Sequence, residues 1–238
     1  MPFVSIVTCV YERQEFLPFL RNQIIAQDYP HANIEWLIMD DSKEPTDLFR
    51  VDQGPYDLDG ISVYYFFLNK KITLGEKRTA LNKNCRGDYI LVCDDDDYYP
   101  PTRVSYAVDM LYYHPTYGIA GVDTVFIYFT DDQTIYLSPP TFTNHALCNT
   151  FAYTKKYAME HSFGTVDYAE EAIFTEQWQE PLLQLDPFQT VLMIAHERNT
   201  IDKHPFRPFL LKTQLKLSDF IKIDIINTFC DRFRVNGF

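Results

Sequence analysis

The stretch Tyr89-Ile90-Leu91-Val92-Cys93 is apolar throughout and runs without a break into Asp94-Asp95-Asp96-Asp97. No other feature so limits what the chain can fold into. A short, continuous apolar run suits a strand covered on both faces. Four adjacent carboxylates repel one another, and desolvating them is costly unless something positive is near. Tyr98-Tyr99-Pro100-Pro101 follows and marks a junction of strand and loop. The run therefore predicts a buried strand whose carboxyl end holds a cation, with a solvated acidic turn as the alternative. Hard divalent cations take oxygen ligands, and Mg2+ commonly uses one or two carboxylates plus substrate phosphates.

The residues before this run alternate between strand and helix signals. Val4 to Val10 is β-branched and apolar, and Phe16, Leu17, Phe19, Leu20, Ile24 and Ile25 recur at helical spacing before Asp28-Tyr29-Pro30. Strands are expected at Ile34 to Met39 and Ile61 to Leu68. Thr73-Leu74-Gly75-Glu76 reads as a capping box opening a helix that ends near Arg86-Gly87. Val104, Ala107, Val108 and Leu111 give the next helix. Such alternation implies a mostly parallel sheet with helices on both faces, and ligands in such sheets bind beyond the carboxyl ends of the strands. Tyr11-Glu12-Arg13, Asp40-Asp41 and Asp94 to Asp97 all lie at such ends and are expected to converge.

Beyond residue 115 the pattern changes. Val122 to Phe129 and Thr134 to Leu137 suggest a hairpin around Asp131-Asp132-Gln133; residues 168 to 178 suggest a helix and Val191 to Ala195 a strand. In the tail, Leu215 to Phe238, Leu217, Phe220, Ile221, Ile225 and Phe229 suggest a packed C-terminal helix. No linker, repeat or low-complexity tract interrupts the chain. One unit over 1–238 is expected, with a change of character between 1–115 and 116–238 and the second part extending the same sheet.

The formal net charge of −12 argues against nucleic acid as a partner, because neutralising phosphates needs a basic face. A smaller anion remains compatible where a cation mediates. Cys9, Cys85, Cys93, Cys148 and Cys230 are scattered and form no CxxC pair, so free thiols in a reducing setting are expected. The N-terminus lacks a basic region before its first apolar run, and no stretch approaches the ~20 apolar residues of a membrane span. A cytoplasmic location is the corresponding expectation.

In combination, Val4 to Val10, Gln27-Asp28-Tyr29-Pro30, Trp36 to Ser42, Gly75 to Arg78 and Gly87 to Asp97 closely resemble the pattern of glycosyltransferase family 2 over about residues 3 to 112. The resemblance implies an α/β, GT-A-like (Rossmann-like) fold: a mostly parallel sheet flanked by helices, with a small antiparallel extension on the acceptor side. It also implies transfer of a sugar from a nucleoside diphosphate donor, a UDP-sugar, to a glycan or other hydroxyl acceptor, with inversion and with Mn2+ or Mg2+. Asp94-Asp95-Asp96 then corresponds to the DxD motif, with Asp96 the direct metal ligand and Asp94 and Asp95 nearer the ribose and metal-bound water. Thr8, Tyr11 and Glu12 would line the base, Asp40 would accept the N3–H of uracil, and Arg78 would lie near the base or diphosphate. Their structural alternatives are a turn cap for Asp40 and an exposed helix cation for Arg78.

The second half matches less closely. His161-Ser162-Phe163-Gly164-Thr165 stands where the family has a glycine-bearing loop, and Ala169-Glu170-Glu171 where it has an acidic motif that usually ends in aspartate. Glu171 is the first choice for the base that deprotonates the acceptor and Glu170 the second, against a dipole-complementing helix start. His196, closing the strand Val191 to Ala195, would supply a further metal or diphosphate contact, with His204 as a weaker alternative. Arg198, Lys203 and Arg207 could hold the leaving diphosphate. Two rivals remain: a nucleotidyltransferase, which would be expected to carry a glycine-rich phosphate loop that Thr8 to Arg13 lacks, and a catalytically silent sugar-nucleotide or glycan-binding protein.

Overall fold

The computed structural model describes residues 1–49 and 54–221. Its first half follows the alternation of the sequence: β1 (Val4–Val10), α1 (Leu17–Ile25), β2 (Ile34–Asp40), β3 (Tyr56–Leu58), β4 (Ile61–Phe67), α2 (Leu74–Asn84), β5 (Tyr89–Val92) and α3 (Arg103–Tyr113). The second half adds β6 (Ile119–Gly121), β7 (Phe126–Phe129), β8 (Thr134–Leu137), β9 (Ala152–Thr154), α4 (Lys155–Glu160), α5 (Glu170–Phe174), β10 (Leu183–Gln184), β11 (Leu192–Ala195) and β12 (Leu211–Lys212).

An eight-stranded sheet runs in the order β10-β6-β9-β5-β1-β2-β4-β3. Its centre is parallel, with β1 against β2 and β5, and β2 against β4. Every residue of β1 and β2 is buried, as a strand covered on both faces requires. Alternate side chains serve opposite layers. Val4, Ile6 and Val10 pack with α1 and α3 residues such as Leu20 and Val104, whereas Val7 and Cys9 pack with Leu81 of α2 and Tyr157 of α4. The register aligns Val10 with Asp40, so β1 and β2 deliver their following loops to one edge.

Three local features hold this frame. Thr73 and Glu76 form the expected capping box of α2. Buried Glu35 accepts from Ser5 Oγ (2.6 Å), Arg86 N (2.6 Å) and Arg86 Nε (2.7 Å), so its charge is paired and hydrogen-bonded. Gly75 allows α2 to meet the loop at Phe163-Gly164, since a Cβ there would stand 2.5 Å from Phe163 O.

Three features differ from the sequence reading. A short antiparallel strand, β3, flanks β4 through the turn at Asp59-Gly60, a pairing too short to signal itself by periodicity. The expected hairpin forms, but over Phe126–Phe129 and Thr134–Leu137, and it does not extend the main sheet. It belongs to a separate sheet, β11-β7-β8-β12, in which β11 and β7 are parallel and the other pairs antiparallel. The helix expected over 168–178 is only α5, because Glu176, Gln177 and Trp178 all take positive φ. The expected C-terminal helix lies mostly outside the described residues. Within them Leu217–Asp219 is a 3-10 turn, with Leu217 and Ile221 buried. Cys230 also lies outside them; Cys9, Cys85, Cys93 and Cys148 are free and buried. Among the described residues no helix is long and apolar enough to cross a membrane.

Candidate active site

The second sheet is joined to the first at the aspartate run. Tyr98 and Leu192 exchange backbone hydrogen bonds of 3.0 and 2.8 Å, and Ile194 N donates to Asp97 Oδ1 at 2.9 Å. Asn149 Nδ2 donates to the other oxygen at 2.7 Å. Asp97 thus ties β11 and the 148–150 turn to the end of β5. Its burial, with Asp96 beside it, pushes its pKa up to about 7.

A cleft of about 650 Å3 is lined by residues of both sheets and their loops, among them Tyr11, Lys71, Lys77, Arg78, Asp94, Asp96 and Glu171. The loops after β1, β2 and β5 do meet here. Arg13 Nη1 donates to Asp96 Oδ2 (2.6 Å) and Nη2 to Asp95 Oδ1 (2.7 Å), while Gln14 Nε2 donates to Asp40 Oδ2 (3.2 Å). The Asp96 oxygen also accepts from Asn199 Nδ2 (3.2 Å) and lies 3.3 Å from His196 Nε2. Burial opposes its charge, but the His196 hydrogen bond and Arg13 outweigh burial and hold its pKa below the carboxylate range. Asp95, wholly buried, is driven the other way by desolvation, and its Oδ2 has no hydrogen-bond partner among the described residues.

Arg78 is buried, not an exposed helix cation. Its Nη2 donates to Asp94 Oδ1 (3.0 Å) and its Nε to Glu170 Oε1 (3.1 Å), which binds the DxD-like run to the acidic motif of α5. This leaves Glu170 committed to Arg78 and Glu171 on the cleft wall. Burial, with Glu170 adjacent, raises the Glu171 pKa.

Several expected residues sit elsewhere. Thr8 is buried within the sheet, donating to Cys93 O (2.8 Å) and accepting from Trp36 Nε1 (3.0 Å). Asp40 is also fully buried, its oxygens accepting from Ser42 N (2.9 Å), Tyr65 Oη (2.7 Å) and Gln14. Neither is among the described residues lining the cleft, because β1 and β2 carry them below the sheet edge. Glu12, at φ 54°, turns outward and accepts from Lys43 N (2.8 Å), joining the first two loops. Tyr11 does line the cleft, with Lys71 Nζ 4.1 Å from its ring centroid. His204 stands outside the cleft with Asp202 and Asp131. Arg207 pairs with Asp131 and Arg198 with Glu15, so of these three cations only Lys203 lines the cleft.

The sequence reading assigned no role to Arg13, Lys77, Asn199 or the Asp123–His145 pair. Lys77 is buried, donating to Asp41 Oδ1 (2.6 Å) and Val10 O (3.1 Å). Asp123 and His145 hydrogen-bond to each other in the lining of the cleft, where the His145 ring packs 4.7 Å from Trp178. Arg13 lay within a cluster already legible at a strand end and Lys77 within the Gly75 to Arg78 segment of the resemblance; Asp123 and His145, 22 residues apart, carried no shared signal.

A divalent cation, which the fold family implies, finds a partial fit. Asp96 presents a carboxylate at the cleft floor, and phosphates of a substrate could complete an oxygen shell. Among the described residues no three His, Cys, Asp or Glu side chains form a ready-made metal cluster. His196 Nδ1 accepts from Arg198 N (3.2 Å), and its Nε2 faces both Asp96, to which it hydrogen-bonds, and Asn199 Nδ2 at 3.0 Å. Ligation through Nε2 would require that hydrogen bond to give way, since metal-bound imidazoles donate from the other nitrogen.

A mostly parallel sheet flanked by helices, with a smaller second sheet closing a cleft over an aspartate run, is the architecture of the GT-A glycosyltransferases. Solved structures of similar fold include S. aureus TarS residues 1–349 in complex with UDP-GlcNAc, at 16% identity over 97% of this chain and 66% of that one, TM-score 0.62. They also include the mannosyltransferase PcManGT from Pyrobaculum calidifontis in complex with GDP-Man and Mn2+, at 13% identity over 87% and 60%, TM-score 0.61. S. aureus TarS itself matches at 16% identity over 87% and 38%, TM-score 0.59. The chain therefore spans between 38% and 66% of the length of these proteins. No curated protein matches it. The pattern described as glycosyl transferase family 2 matches residues 5–166, and the chain belongs to that family.

Proposed function

We propose that this chain transfers a sugar from a nucleoside diphosphate donor to a hydroxyl acceptor, with inversion and with a divalent cation. The observation that carries the reading is that one cleft is lined by Asp94, Asp96 and Glu171, while Arg78 holds Asp94 and Glu170 and makes no hydrogen bond to Glu171 among those described. A raised carboxylate pKa suits a general base, because the ionised form then takes a proton more readily. Glu171 is accordingly assigned to accept the acceptor hydroxyl proton as that oxygen attacks the anomeric carbon.

Tyr11 and Lys71 form the end of the cleft suited to a base and its phosphates, with Asp40 and Asp41 supporting the loop beneath. Lys203 adds positive charge near Asp96 and Asp97. When bound, Mn2+ or Mg2+ would be held by Asp96 and would neutralise charge on the leaving diphosphate. The relatives of similar fold have UDP-GlcNAc in one case and GDP-Man in another, so fold likeness does not choose the nucleotide. A UDP-sugar remains the first donor to try.

The test is turnover of UDP- and GDP-sugars with Mn2+ or Mg2+, followed as release of nucleoside diphosphate. Nucleoside diphosphate release that is lost in Asp96→Asn and lowered in Glu171→Gln supports the reading. A pyrophosphate product instead would indicate nucleotidyl transfer, and binding without turnover a silent binding protein.

A further inference from the structure

Arg13 occupies the place where the aspartate run calls for a cation. Its guanidinium spans two carboxylates, at 2.6 Å from Asp96 Oδ2 and 2.7 Å from Asp95 Oδ1, and its side chain is only 17% exposed. Burial works against its charge, but the surrounding aspartates outweigh burial and raise its pKa. It is held on a shaped loop. Glu12 at φ 54° reverses the chain just before it, and Arg198 Nη2 fixes that turn by donating to Glu12 O at 2.7 Å. The Asp96 oxygen it engages, Oδ2, is the same one approached by Asn199 and His196, so three donors crowd one oxygen of the carboxylate best placed for a metal. Arg13 also lines the cleft in which the donor phosphates are expected.

A divalent cation bound through that oxygen would compete with the guanidinium for it. We infer that Arg13 is a tethered counter-ion of the donor site, neutralising Asp95 and Asp96 in the metal-free protein and exchanging onto the donor phosphates when metal and nucleoside diphosphate enter together. This rests on the metal-dependent reading above. It gives Arg13 two alternative anionic partners, carboxylate or phosphate, both matched by its planar fork. The exchange keeps the buried carboxylates compensated at each stage, which a lone acidic run could not do. It also accounts for the sparse metal shell offered by the protein, since a metal arriving with diphosphate brings its own oxygens.

The counter-ion role predicts opposite shifts when Arg13 is removed, tighter metal and weaker nucleoside diphosphate, whereas a purely structural ion pair would leave nucleotide affinity unmoved. Mn2+ binding is measured by electron paramagnetic resonance of the free ion, with and without UDP, in the wild type, Arg13→Gln, Arg13→Lys and Asp96→Asn. Wild type is expected to bind Mn2+ alone at least tenfold more weakly than in the presence of UDP. Arg13→Gln should bind Mn2+ alone about ten- to a hundredfold more tightly than wild type, the equilibrium factor of one charge-assisted hydrogen bond removed. The same variant should bind UDP more weakly once Mn2+ is present, and Mn2+ should raise its melting temperature more than that of wild type. Arg13→Lys, a point charge that cannot span both carboxylates, should fall between, and it carries the test if Arg13→Gln does not fold. Unchanged or weaker Mn2+ binding in the Arg13 variants, with binding still lost in Asp96→Asn, overturns the counter-ion role and leaves the metal site standing. Absence of Mn2+ binding in every protein, UDP included, overturns the metal-dependent reading itself and this inference with it.

Discussion

Replacing Arg78 with methionine probes the contact that joins the two acidic motifs. In the folded protein its guanidinium is 4% exposed and serves Asp94 and Glu170 at once, at 3.0 and 3.1 Å. Methionine fills much of the volume but leaves the Glu170 carboxylate, 6% exposed, without its cation. Removing one partner of a buried ion pair costs about 3–5 kcal/mol. For a chain of this size each kcal/mol lowers the melting temperature by roughly 2–4 °C, so a drop of roughly 6–20 °C is expected. Asp94, 29% exposed, can turn toward water and adds less. Urea unfolding at neutral pH measures the loss. The double variant Arg78→Met/Glu170→Gln separates the causes: with the buried charge gone, it should recover a large part of the stability while donor turnover stays impaired, because Asp94 is no longer held. A loss below about 1 kcal/mol in Arg78→Met, or a double variant no more stable than the single one, would refute the reasoning.

Glu171→Gln should lower the maximal rate by about 10²–10⁴-fold with little change in donor KM, as expected for a lost general base. Wild-type activity should fall on the acid side through a pKa above the ordinary glutamate range. Because folding raises that pKa, the folded protein binds the extra proton, and this group's contribution to stability declines as pH rises through the interval. Glu171→Gln should therefore be more stable than wild type at neutral pH, and that advantage should vanish in acid, as denaturation at the two pH values would show. Gly75→Ala should cost about 1–3 kcal/mol, since its Cβ would meet the backbone oxygens of Phe163 and Gly164; melting curves check this. Chelation should abolish turnover and added Mn2+ or Mg2+ restore it, whereas Asp96→Asn should not be restored by either ion.

Much of the fold was readable because it is written in local patterns. β1, β2 and β5 are apolar runs that only a doubly covered strand can bury, and the Thr73 capping box places the start of α2 within a residue. The second half resisted the same reading. Its strands are two to four residues long, too short for a period to establish itself, and three consecutive positive φ angles end α5 where composition suggested more helix. The candidate site divides along the same line. That the aspartates close a strand could be read from order and spacing, and the acidic motif after a glycine-bearing loop from the family resemblance.

The partner of each charged group depended on packing between distant segments. Arg13 lies 83 residues from Asp96, and Arg78 92 residues from Glu170. The parallel register of β1 against β2 and β5 brings those loops together, and it also sinks Thr8 and Asp40 out of the cleft. The sequence alone thus determined which residues carry charge and on which strand ends they stand, because side-chain period and turn chemistry are local. Only the tertiary structure decided which carboxylates are paired with cations, because burial and ion pairing are properties of the assembled sheets.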